Sequence, residues 1–358
     1  MTSAMLTEIR QIPGVVRGVL RDGAAETARV AEAIRVASPR VVVVAARGTS
    51  DHAGVYARYL FESHLRLPVV LAASSLTTIY GRSMDWRGSL VVGISQSGES
   101  PDVAGVVSAA RRDGALTVAI TNEPGSSLAV AAEHALACRA GRERAVAATK
   151  TYVAELAVIA ALVAELTRGA AGTAGPGDLS GAFPDVPDAL AGVLAAAEAW
   201  VDRADALIES LAASDRALVV SRGYDYATAL EVALKLKETS RIFAEGYSSA
   251  DLLHGPVALA EPAIPMLVFR PDGPMGAALD GSVERARALG ARPWIVGGRD
   301  LAATADGVRT VALPIDVPEP LTPLAFAIPG QLVAESVARR RGMDPDAPPG
   351  LTKITRTL

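Results

Sequence analysis

Lysine is scarce in this chain. Of 35 Lys and Arg residues only Lys150, Lys235, Lys237 and Lys353 are lysines. A guanidinium is permanently charged, whereas a lysine amine can lose its proton and attack a carbonyl. Each lysine therefore poses a question, most of all Lys353 in the terminal stretch GLTKITRTL. Chance survival in an arginine-biased composition is the competing reading, and only the neighbours can decide between them.

Four other stretches carry residue types suited to chemistry. In GISQSGESPD (93–102) a strand-like run ends at Ser95, and Gln96, Ser97 and Ser100 follow around Gly98. Pro101 stands where a first helical turn would begin. Backbone N–H groups, hydroxyls and the positive end of a helix dipole together make an anion site, suited to a phosphate. An ordinary Ser-rich helix cap is the plainer alternative. No Walker-type lysine loop and no dinucleotide-type glycine triplet is present, which disfavours a nucleotide. ARGTSD (46–51) repeats the theme with Gly48, Thr49 and Ser50, either as ligand donors or as a plain N-cap. His52 is close enough in sequence to share that pocket. In ALEVALKLKETS (229–240), Glu231, Lys235 and Glu238 share one helical face, and Lys237 points elsewhere. That face is either solvated or a polar stripe turned toward a site, where a carboxylate could shuttle a proton. SADLLHGPVAL places His254 before a Gly-Pro break, in an exposed loop position or a structural one. His64 and His134 read as helix-end and strand residues. Cys138 alternates within HALACR and reads as a buried, inert thiol. No spacing matches a metal site, so no metal ligand is assigned.

The elements that must position these residues follow from pattern. The chain has 358 residues, half of them apolar, which suits about two domains. A net charge of −4 without a basic block argues against nucleic acid as a partner. A single cysteine excludes an internal disulfide. No leader-like apolar run opens the sequence, and the apolar helix around 152–166 carries Glu155 and Glu165 and is too short to span a bilayer. A soluble cytoplasmic protein without membrane contact is the expectation. Residues 1–37 read as helical with a break near Pro13-Gly14. Val-rich runs at 41–46, 68–73, 90–95, 116–121 and 134–139 alternate with helices, and a long helix covers 149–167. After a Gly/Ala/Pro-rich stretch (168–188) the pattern restarts at 216–223, with strands at 265–270, 293–298 and 310–314 and a helix at 320–341. Continuous apolar runs between helices predict parallel sheets covered on both faces. The halves also share a strand, a glycine turn (Gly48, Gly223) and a helix, which reads as an α/β duplication. The expected division is an N-terminal helical segment 1–37, a first domain 38–168, a linker 169–195, a second domain 196–341 and a C-terminal tail 342–358.

Taken in order, ARGTSDHA, ISQSGESPD, AGRERAVAATKTY, ALEVALKLKE, HGPVAL and PPGLTKITRT resemble the sugar isomerase (SIS) family across nearly the whole chain. The nearest pattern is the isomerase half of glucosamine-6-phosphate synthase and the stand-alone SIS-type deaminases. The resemblance implies two flavodoxin-like parallel-sheet lobes and a site completed across a homodimer. It implies that Ser95, Gln96, Ser97 and Ser100 hold a sugar phosphate, with Gly48, Thr49, Ser50 and Ala148 nearby. By the same resemblance Glu238 moves a proton between C1 and C2, and His254, donated by the other subunit, assists ring opening. Lys353 matches a tail lysine that forms a Schiff base with the open-chain sugar. Glu231 and Lys235 match pocket residues around Glu238, and Lys150 matches a helix-start residue of the pocket wall.

The pattern also departs from the synthase. Arg47 and Ala148 replace a Cys and a Ser, and Arg47 either approaches the phosphate or points away. The sequence enters the isomerase part within a few dozen residues, so an ammonia-releasing glutaminase is not expected, and the tail is more like the deaminases. The resulting expectation is deamination of glucosamine 6-phosphate to fructose 6-phosphate and ammonia, by acid–base chemistry that needs no metal or redox cofactor. Galactosamine 6-phosphate or a fructosamine 6-phosphate would fit the same motifs. A non-catalytic sugar-phosphate sensor is the rival of another class, although Glu238, His254 and Lys353 are all in place.

Overall fold

A computed structural model describes residues 2–82, 84–168, 179–298, 301 and 309–353. The first ten residues of the expected linker (169–178) and the tail beyond Lys353 lie outside the described residues. The described residues fall into two compact units, one around 14–143, 150–184, Thr352 and Lys353, the other around 1–13, 144–149 and 185–351.

The first residues form α1 (Ala4–Arg10), α2 (Ile12–Asp22) and α3 (Ala24–Ala37). The expected break at Pro13-Gly14 is corrected: the helices part at Gln11 and Gly23. Pro13 lies in the first turn of α2, where a missing N–H costs no helical bond. In the first unit β1 (Val41–Ala45), α4 (Thr49–Leu65), β2 (Val69–Leu71), α5 (Ser74–Thr78), β3 (Ser89–Ile94), α6 (Pro101–Arg112), β4 (Leu116–Thr121), α7 (Ser127–Ala131) and β5 (His134–Ala137) follow in turn. Helices α8 (Lys150–Thr167) and α9 (Leu179–Ala182) complete it. Its sheet is wholly parallel in the order β2-β1-β3-β4-β5. Val43, Val91, Val103, Val106 and Leu128 form part of one face of its core. Burying each such side chain stabilises the fold by about 1.5–3 kcal/mol.

The second unit holds α10 (Val186–Val201), α11 (Asp205–Ala212), β6 (Arg216–Ser221), α12 (Tyr226–Ser240), β7 (Phe243–Ser248) and α13 (Ser249–Leu253). Then come β8 (Met266–Arg270), α14 (Pro274–Ala288), β9 (Trp294–Gly297), β10 (Arg309–Ala312) and α15 (Thr322–Arg340). The strands run β10-β9-β8-β6-β7, again all parallel. Counted from its own first strand this is the same 2-1-3-4-5 order, the flavodoxin-like winding. The fold is therefore two α/β lobes of one topology. Strand β7 escaped the sequence reading because FAEGYS contains Glu245 and Gly246, poor strand formers. Gly246 is required there, because a Cβ would stand 2.7 Å from the Ala229 carbonyl oxygen of α12.

The segment Glu319–Arg340 is long and apolar enough to cross a membrane by length and composition, yet 94% of its most apolar stretch is buried in the fold. It is the core helix of the second lobe. Gly330 lets α12 come close, since a Cβ would lie 2.2 Å from Val232. At the start of α12 the carboxylate of Asp225 is buried and accepts bonds from Thr322 Oγ1 (2.5 Å) and Thr228 Oγ1 (3.2 Å). Burial pushes this carboxyl from the ordinary 3.8 up to about 8, against the two threonine bonds and with the help of Glu319. Between those values the folded chain keeps a proton that the unfolded chain has lost, so Asp225 makes stability fall as pH rises through the window. Urea midpoints at pH 5 and pH 8 should therefore differ less in Asp225→Asn than in the wild type. An equal difference in both proteins would contradict this assignment.

Candidate active site

In the first lobe β1 and β3 flank the point where strand order reverses, and the loops leaving their carboxyl ends face a crevice. Both serine-bearing motifs fall on these two loops. After β1, Gly48 takes φ +55° and α4 begins at Thr49. Ser50 Oγ donates to Glu155 Oε1 of α8 at 2.8 Å, so its hydroxyl is tied into the core. Arg47 Nε donates to Asp102 Oδ2 at 2.6 Å, and Asp102 is buried in the first turn of α6. The guanidinium is thereby held at the helix end that follows the serine loop.

After β3 the loop folds on itself. Gly98 N donates to Ser95 O (3.1 Å) and Ser95 Oγ (3.2 Å), and Ser95 and Ser100 hydroxyls lie 3.4 Å apart. Glu99 N donates to Ser97 Oγ at 3.2 Å. Gly98 has φ +64°, and a Cβ there would stand 1.9 Å from Ser126 Oγ, so only glycine fits. Ser100 precedes α6 without making a side-chain cap bond, and Pro101 opens the helix.

A cleft of about 420 Å³ borders this loop, with Gln96, Ser97, Glu123, Ser126, Glu143 and Lys353 among its walls. Lys353 Nζ reaches Glu143 Oε2 at 2.7 Å; the Glu143 side chain is fully buried and that of Lys353 is 25% exposed. The structure thus brings Lys353 beside two of the expected phosphate residues, Gln96 and Ser97. Glu143 was not singled out from sequence, although it sits inside the quoted AGRERAVAATK stretch. Lys150 opens α8 with its ammonium donating to Arg142 O at 2.8 Å. Ala148 lies in the short segment just before it, next to Thr149, whose carbonyl accepts from Gln331 at 3.2 Å. Cys138 is buried, and burial together with Glu155 and Glu143 pushes its thiol well above the usual range, as fits an inert core cysteine.

In the second lobe Lys235 Nζ lies 3.3 Å from Glu231 Oε1 and 2.5 Å from Glu238 Oε2. The Lys235 and Glu231 side chains are 0% and 1% exposed, whereas Glu238 is 23% exposed. The stripe is therefore no solvated face: two members are core residues and the third reaches outward. Burial alone would lower the pKa of Lys235, but the two carboxylates outweigh it and hold the amine above its ordinary range. Lys237 does point elsewhere, pairing with Glu245 at 3.2 Å. His254 is exposed at the end of α13, followed by Gly255 at φ +137°.

The SIS domain family model matches residues 36–165 and 210–335, one stretch in each lobe. This chain belongs to the SIS domain family. Among curated relatives, the glutamine–fructose-6-phosphate aminotransferase (isomerizing) of Methanothermobacter thermautotrophicus is 38% identical over 354 residues, covering 98% of this chain. The enzyme of that name from Escherichia coli is 34% identical over 87% of this chain. The chain spans only 56% and 51% of the lengths of these two relatives. Among solved structures, a protein assigned as a phosphosugar isomerase of Silicibacter pomeroyi is 33% identical with a TM-score of 0.84, covering 96% of this chain and 100% of that one. The C-terminal domain of the Francisella tularensis glucosamine-fructose-6-phosphate aminotransferase is 26% identical with a TM-score of 0.85, over 97% of this chain and 98% of that one. A glucosamine-6-phosphate deaminase of Thermotoga maritima shares the fold at 20% identity and a TM-score of 0.71, over 99% of this chain and 100% of that one.

Removing one member of a buried charge cluster strands the others. Lys235→Met should therefore cost about 3–5 kcal/mol in chemical denaturation, with part recovered when Glu231→Gln is added. A loss below about 1 kcal/mol would show that the pair is not buried as described.

Proposed function

We propose that the chain is a phosphosugar isomerase that deaminates an amino sugar phosphate, with glucosamine 6-phosphate giving fructose 6-phosphate and ammonia. The observation that carries this reading is the cleft in which Gln96 and Ser97 share walls with the Lys353 amine. An anion-binding loop beside a nucleophilic amine suits a ligand with a phosphate at one end and a carbonyl at the other. Identity of 38% to an isomerizing aminotransferase, across 98% of the chain, supports the isomerase class. The resemblance of the PPGLTKITRT tail to the stand-alone deaminases, noted from its sequence, is the ground for taking amine release as the direction.

In this reading Ser95, Gln96, Ser97 and Ser100 bind the phosphate at the start of α6, with Gly48, Thr49, Ser50 and Ala148 shaping the same pocket. Phosphate contacts anchor the substrate away from the reacting carbons. His254, supplied by the partner subunit of a homodimer, helps open the pyranose. Glu238 removes the C2 proton and a proton is returned at C1, which converts the C1 aldehyde and C2 amine into a C1 alcohol and C2 imine. Water adds to that imine and ammonia leaves. Lys235 holds Glu238 in position through their 2.5 Å contact. The amine of Lys353 meets the open-chain carbonyl.

Ammonia release is the direct test. Purified protein is offered glucosamine 6-phosphate, galactosamine 6-phosphate and a fructosamine 6-phosphate in parallel. Release from one of them, reduced by about 100-fold or more in Glu238→Gln and strongly in Lys353→Arg, is the expected result. No release from any, with sugar-phosphate binding intact, would overturn the catalytic reading in favour of a sensor.

A further inference from the structure

The turn that carries Glu143 is built with unusual care. Asn122, just past the end of β4, grips it from both sides, its Nδ2 donating to Gly141 O and its Oδ1 accepting from Ala140 N, each at 2.8 Å. Arg139 and Gly141 take φ +53° and +63° to make the turn. Lys150 donates to Arg142 O at 2.8 Å. The Glu143 carboxylate then accepts from Thr151 N (3.2 Å) and from Thr151 Oγ1 (2.6 Å) in the first turn of α8. A carboxylate with no exposed side-chain surface is costly unless bonded and compensated by a cation. The helix end and Thr151 supply part of that compensation, and Lys353 Nζ at 2.7 Å supplies a full positive charge.

We propose that Glu143 is the docking carboxylate of the C-terminal tail, a positioning residue that holds the Lys353 amine at the rim of the phosphate cleft. The inference deepens the phosphosugar-isomerase reading and rests on it for the ligand. The burial of Glu143 provides the drive for docking, because its charge has no solvent to fall back on. The partial exposure of Lys353 leaves the amine approachable from the cleft side. Imine formation draws on this arrangement. Once the ammonium has given one proton to water in the cleft, the Lys353 nitrogen adds to the keto carbon of an open-chain ketose phosphate; the carbinolamine oxygen then takes up a proton and leaves as water, so that the new C=N bond carries the positive charge. The amine must leave Glu143 to do so, and the carboxylate is placed to receive it again on hydrolysis.

Reductive trapping reads this directly. Intact protein is incubated with fructose 6-phosphate and cyanoborohydride, whose hydride reduces the C=N bond to a stable secondary amine, and the adduct at Lys353 is quantified by mass spectrometry. Binding of inorganic phosphate is measured on the same samples. In Glu143→Gln the adduct should fall by about tenfold or more while phosphate affinity stays within about twofold, and Glu143→Asp should recover a substantial part. Thr151→Val, which keeps the charge but removes its 2.6 Å bond, should give an intermediate loss and carries the test if the Gln variant does not fold. Unchanged trapping in Glu143→Gln or Thr151→Val would overturn the inference, as would an equal fall in phosphate affinity or no adduct in the wild type. Trapping that depends on Glu143 in a protein that releases no ammonia would leave the inference standing and remove the deaminase reading.

Discussion

A parallel strand cannot be joined to its neighbour by a tight turn; each connection must cross over and return. In a 2-1-3-4-5 sheet the crossovers change side once, and the loops leaving the two strands at that point are left with no helix above them. The first lobe has this order, with β1 and β3 at the reversal. The remaining features of the lobe follow from that vacancy. Gly48 and Gly98 both adopt positive φ so that the chain can turn sharply out of the sheet. The loop between β3 and α6 closes on its own hydroxyls, and the start of α6 is left pointing at open space. Arg47 is held at the same helix end through Asp102. A crevice of this origin exists before any ligand does, and its donors are set by backbone geometry as much as by side-chain identity.

Charge compensation is the second constraint. Each lobe buries a carboxylate beside a lysine: Glu231 with Lys235 in one and Glu143 with Lys353 in the other. The scarcity of lysine in an arginine-rich chain has a physical account at these positions. A compact ammonium on a flexible stem can sit in a closed space, contact a carboxylate and, where partly exposed, leave it. Lys235 is locked between two carboxylates and stays charged, so it is a fixed cation. Lys353 is the more accessible of the two, which matches the role of an amine that meets substrate.

The sheets were legible because buried parallel strands are written as unbroken apolar runs, and VVVVA, LVVGI and LTVAIT stood out for that reason. The shared face of Glu231, Lys235 and Glu238 followed from helical spacing alone. What stayed hidden depends on distant partners or on neighbours that tolerate only one residue. Strand β7 is disguised by Gly246, which is there because α12 lies across it. The pairing of Glu143 with Lys353 spans 210 positions and leaves no local periodicity. Pro13 looked like a helix break because a proline interior to a helix is disruptive, whereas one in a first turn is not. The commitment of Ser50 to Glu155 likewise depends on α8, a hundred residues away in the chain.

The proposed proton transfer between neighbouring sugar carbons is probed most sharply by the product formed from glucosamine 6-phosphate in heavy water. Glu238 retains 23% of its side-chain surface, so its carboxyl should exchange its proton with solvent before returning one. Proton NMR of the fructose 6-phosphate is then expected to show a single deuterium on one face of C1, with no product from Glu238→Gln. Deuterium distributed over both faces, or product formed equally well by the Gln variant, would contradict a transfer carried by this carboxylate.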